Sequence, residues 1–101
     1  MLLEKKYSEN DIISFKLASG EEVIGKYIKD DMTAFVIKHP LMLVASQKGV
    51  GMAPYMFTVD PSKEFTFTKS AILTHASTDK EIADQYLSQS SGIAIAKTGI
   101  V

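Results

Sequence analysis

The sequence contains no cysteine and no arginine, and all eleven of its basic residues are lysine. Without cysteine there are no disulfides, no thiolate metal sites and no thiol nucleophile, which points to an intracellular protein. Without arginine the chain lacks the planar fork that usually makes paired contacts to phosphates and bases. A formal charge of −1 gives no overall attraction to phosphate. No stretch approaches the roughly 18 consecutive apolar residues of a membrane-crossing helix. The opening Met1, Leu2 and Leu3 run at once into Glu4, Lys5 and Lys6, too short an apolar stretch for a signal peptide. A cytoplasmic location with no membrane partner is therefore expected. What is present suffices for a fold: 46% of the 101 residues are hydrophobic, enough for one domain with one modest core.

Residues 13–37 organise the rest. Ile13, Phe15 and Leu17 alternate with polar or small neighbours, the period of a half-buried strand. Ser19 and Gly20 form a turn, since glycine accepts a positive φ without steric cost. Residues 23–28 resume extended structure, and Gly25 among them predicts a sharp bend or a close approach of another segment. Asp30 and Asp31 turn the chain again, with Asp31 bonding local amides, and residues 33–37 pair back. Pro40 belongs at an edge or bulge, and the apolar residues 41–44 continue beyond it. Residues 47–51, with two glycines in five positions, read as an exposed loop. Residues 55–59 read as an uncharged strand, residues 60–63 as a turn, and 64–68 and 71–75 as two further strands. The domain plan is an arm over 1–10 (frayed, or one helical turn), a barrel over 11–77, and a helix and tail over 78–101.

Thr78 and Glu81 have the spacing of a capping box, and Ile82, Ala83, Tyr86 and Leu87 line one helical face. A helix over 79–91 follows, with Gly92 as its stop and residues 93–101 as a tail that packs on a neighbour or frays.

Little in the pattern speaks for catalysis. His39 and His75 have no partner at metal-ligand spacing. Asp30 and Asp31 are too few ligands for Ca²⁺ or Mg²⁺. No nucleophile elbow surrounds the serines, and the two glycines at 49 and 51 open no helix for a phosphate loop. No metal, cofactor, small-molecule substrate or enzymatic activity is expected.

The spacing Leu17-x-x-Gly20-x-x-Val23-x-Gly25-x-Tyr27, followed by Asp31, is similar to the first signature of the Sm and Sm-like (Lsm) family. The chain resembles divergent small phage and bacterial members of that family. The resemblance implies a mainly β fold: a strongly bent, five-stranded SH3-like barrel, here with its α-helix after the barrel rather than before it. It also implies assembly of identical subunits into a ring, with single-stranded RNA as a partner in the pore, in a host cytoplasm if the protein is phage-encoded. Two positions depart from the family. Ala34 and Phe35 stand where a methionine-asparagine pair reads a base, and Thr68 and Lys69 stand where an arginine-glycine pair is found. RNA contact is thus expected only by position, through Lys29, Phe35 and Lys69. The family pairs the fourth and fifth strands of adjacent subunits, which implies an interface of Tyr55, Met56, Phe57, Thr58, Val59, Phe65 and Phe67. An uncharged apolar strand edge invites such pairing. The alternative is an assembly or protein-interaction module with no nucleic-acid role.

Overall fold

The computed structural model describes the backbone of residues 6–100 and the side chains of residues 6–90. Six strands form one antiparallel sheet: β1 (Ile12–Leu17), β2 (Glu22–Asp30), β3 (Ala34–Ser46), β4 (Gly49–Pro54), β5 (Glu64–Thr68) and β6 (Ile72–Ser77). A short 3-10 turn over Lys69–Ala71 joins β5 to β6, and one helix, α1 (Lys80–Ile100), follows. The strand order is β4-β3-β2-β1-β6, with β5 pairing β3 beside this path.

The bends come from specific residues. Gly20 ends the β1–β2 turn at φ +112°. At Gly25 a Cβ would lie 2.4 Å from Cγ2 of Ile37, so only glycine lets β3 come this close. The β2–β3 register slips between Ile24 and Lys26, as the sequence predicts for this bend. β3 itself changes partner at His39 and Pro40. Ahead of them Ala34–Lys38 pairs with β5, and beyond them Leu41–Ser46 pairs with β4. His39 adopts a left-handed φ of +52°, and its amide, turned away from the sheet, donates to the Pro61 carbonyl at 2.8 Å.

Six expectations are corrected. The sheet is not closed into a five-stranded barrel: the 3-10 turn carries β6 across to β1, so β5 and β6 do not pair. The loop expected at 47–51 is only the turn before Gly49, because β4 begins there and pairs with β3 through Pro54. Residues 55–59 are irregular rather than a strand. β3 turns to β5 at its bend, so the chain rounds that bend with no partner strand to pair with. The arm is not merely frayed, since Tyr7 is buried in the core. Finally, the helix runs through Gly92 to Ile100. One glycine costs about 1 kcal/mol in a helix and does not stop it when helix-compatible residues follow. The tail beyond Gly92 is therefore helical up to Ile100, and Val101 lies outside the described residues. Thr78 does not cap this helix; its hydroxyl pairs with that of Ser14 at 2.7 Å, and the helix begins two residues later.

The main core gathers Tyr7, Ile13, Phe15, Leu17, Val23, Tyr27, Phe35, Ile37, Phe65 and Phe67. A second, small cluster of Ile24, Leu41 and Tyr86 seats the helix. The Tyr86 hydroxyl donates to the His39 carbonyl at 2.7 Å, tying α1 to the bend of β3. Burial pushes its phenol pKa well up. Among the described residues no helix is long and apolar enough to cross a membrane.

Candidate functional site

Two surfaces collect the residues that the sequence singled out. The first is a groove of about 550 Å³ at the β2–β3 turn, where the 3-10 turn, β6 and the N-terminal segment meet. Asp31 builds its rim: Oδ1 accepts the amides of Thr33 at 2.7 Å and Ala34 at 2.9 Å, and the Thr33 hydroxyl at 3.0 Å. Those backbone bonds hold the Asp31 carboxyl below the usual range.

Lys29, Phe35 and Lys69 all line this groove, so the structure brings the three expected contact residues together. Their states differ. Lys29 is exposed, whereas the Phe35 ring is 2% exposed and forms floor rather than platform. The Lys69 ammonium lies 4.8 Å from the centre of that ring and 2.5 Å from Asp30 Oδ2. Tyr27 donates to the other Asp30 oxygen. Burial by itself would raise the Asp30 carboxyl, but the bonds from Lys69 and Tyr27 outweigh it and hold the pKa down. Burial and the Asp30 bond push the Tyr27 phenol up to about 12.

Tyr7 and His75 complete the groove and were not among the expected contacts. The Tyr7 hydroxyl is 2.7 Å from His75 Nδ1, and the His75 ring stands edge-on to Phe35 at 4.9 Å. The only signal for Tyr7 was one aromatic in a polar run. His75 carried none beyond its residue type, because its partners lie at the far end of the chain. The hydroxyls, the carboxylate and the lysine mostly satisfy one another, so the groove's chemistry is cohesion of rings and paired charge. Lys29 is left outward.

The second surface is an apolar cleft of about 520 Å³ beside the outer edge of β5, lined by Leu17, Tyr55, Met56, Phe65, Phe67 and Ala71 among others. Of the expected interface residues Tyr55, Met56, Phe65 and Phe67 line this cleft, whereas Phe57, Thr58 and Val59 do not. Phe65 and Phe67 point into the core, at 9% and 8% exposed. Tyr55 is half-buried against Phe67, with ring centres 5.2 Å apart, and its amide donates to the Pro40 carbonyl. Met56, Phe57, Thr58 and Val59 remain outward on the loop, Phe57 at 83% exposed. At the opposite end of the sheet β6 presents Leu73, 68% exposed. No protein-family profile matches the sequence, and no curated protein matches it.

Proposed function

We propose that this protein is a cytoplasmic, non-enzymatic, ring-forming scaffold of Sm-like type, in which the β6 edge of one copy pairs with the β5 edge of the next. One observation carries this proposal. Among the described residues β5 and β6 each leave one edge unpaired; β6 contains no Lys, Asp or Glu, and β5 has one charged residue, Glu64, at its start. Monomeric sheet proteins blunt such edges with lysine, bulges or cover. Here β6 has a bulge at Leu73, the residue its ladder with β1 skips, yet that bulge turns an apolar leucine outward, and the edge of β5 opens onto an apolar cleft. A contact between two different edges is head-to-tail, and closes into a ring when the rotation permits.

Light scattering on the purified chain tests it. The expected mass is a multiple of 11.1 kDa. Leu73→Glu should return the particle to one chain with its circular dichroism unchanged, since Leu73 contributes to neither core. A wild-type monomer at about 100 µM, well above the Kd range of a stable interface, overturns the proposal.

A second reading follows from Lys29, Phe35 and Lys69 lining one groove: repeated around a ring, the groove gathers lysines over a buried aromatic floor and contacts the phosphates of single-stranded RNA weakly. Filter retention of an oligonucleotide should then fall steeply with salt, and fall again in the Lys29→Ala, Lys69→Ala double variant. No retention at low salt leaves an assembly module with no nucleic-acid role.

A further inference from the structure

Of residues 6–11, only Tyr7 is buried; Lys6, Ser8, Glu9, Asn10 and Asp11 are exposed. Two backbone bonds tie residues 10 and 11 to Tyr27, from the Asn10 amide to its carbonyl and from its amide to the Asp11 carbonyl, so among the described residues Tyr7 is the side chain that holds residues 6–9 down. The Tyr7 ring stands 5.4 Å from Tyr27, 6.4 Å from Phe35 and 5.6 Å from His75, centre to centre. Its one side-chain hydrogen bond among the described residues runs to His75, on the end strand β6. We propose that Tyr7 and His75 form a proton-sensitive latch, which holds the N-terminal segment over the end of the sheet and releases it when His75 takes up a proton.

The charge balance around the imidazole drives the release. In the neutral ring with its proton on Nε2, the Tyr7 hydroxyl donates to Nδ1. Protonation puts a hydrogen on Nδ1 and reverses that bond, so the hydroxyl accepts instead. Reversal alone does not open the latch. The added charge does, because it appears in a half-buried site that already faces two ammonium groups: Lys6 from the N-terminal segment and Lys69 from the 3-10 turn. The opposing charge is Asp30 on β2, and its two oxygens are committed to Lys69 and Tyr27. Lys29 and Asp31, on the same groove, are of opposite sign, as are Lys16 and Glu22 on the shallow face behind Thr74 and His75. Neither pair offsets a new cation. Undocking the segment carries Lys6 away and lets water reach the ring.

Burial first, then Lys6 and Lys69, hold the closed-state His75 pKa below its ordinary 6.5. A group whose pKa is lowered in this way, titrating as a cation, favours the closed state fully above about pH 6.5. That preference is lost as pH falls from that value through the lower closed-state pKa, because the open state binds the proton more tightly. From about pH 7.5 to 5.5 the open-to-closed ratio should rise, by at most about tenfold, the ceiling set by the open-state titration.

The test is nuclear magnetic resonance on the full chain, following the nuclear Overhauser contact between the Tyr7 and Phe35 rings together with the His75 imidazole shifts. In the wild type the ring contact should fade with the midpoint of the His75 titration, while Ile37 in the core keeps its shifts. In His75→Gln, which retains a hydrogen-bonding group and cannot charge, the contact should persist across the range. The proposal is overturned by a contact that survives while His75 protonates. It fails equally if the same fading occurs in His75→Gln, or if His75 stays unprotonated at about pH 5 with the contact intact. None of these outcomes depends on the number of copies in the particle, so the latch and the ring stand or fall separately.

Discussion

The two hydrophobic clusters share one sheet and are built on different terms. The larger joins ten buried side chains from the N-terminal segment and from β1, β2, β3 and β5, so no single residue holds it. The smaller joins three, Ile24, Leu41 and Tyr86, and Tyr86 is the one buried side chain of α1 among its described residues 80–90. Strand alternation explains how one sheet feeds both. Phe35 and Ile37 face the large cluster, and an unbroken strand would send Leu41 there too. The left-handed His39 turns β3, and Leu41 joins Ile24 on the opposite side instead. The lesson is that the sheet is held by redundancy and the helix by one anchor.

Truncating one large ring in each cluster gives the sharpest contrast. Phe15 is 2% exposed and packs edge-on against Phe67 with centres 4.9 Å apart. Phe15→Ala should destabilise the whole sheet by about 3–5 kcal/mol, lowering the melting temperature by more than about 10 °C in a thermal scan. Tyr86→Ala removes a side chain of similar size, yet its effect should stay local. The 222 nm helical signal should drop while the sheet's own transition moves by less than about 5 °C. Equal global losses in the two variants would show the clusters to be one cooperative unit. The seam between them is Gly25, preceded by Val23 of one cluster and Ile24 of the other. Gly25→Ala drives a methyl into Ile37, which is fully buried and has no room to yield. A loss of about 1–3 kcal/mol in denaturant unfolding is expected, felt first by the larger cluster.

Much of the large cluster was legible in the chain. Ile13, Phe15, Leu17, Phe65 and Phe67 lie on plain two-residue alternations, and Gly20, Gly25 and Asp31 each do the local job that their residue type implies. What could not be read depends on distant partners. Tyr7 is 68 residues from the histidine it bonds, so its polar neighbours made the segment look loose. Residues 55–59 have strand composition, but β3 turns away to β5, and composition does not reveal that no neighbour remains. At the groove, the convergence of Lys29, Phe35 and Lys69 was readable by position. The burial of Phe35 and the pairing of Lys69 with Asp30 were not, because both depend on how β2, β3 and the 3-10 turn meet.

The bond from Tyr86 to the carbonyl of His39 makes the helix a mast stepped into the hull at a single point. Load applied above that step bears on the bend of β3 and, through Ile24 beside Tyr86, on β2. A domain spliced beyond Tyr86 would therefore pull first on that one foot.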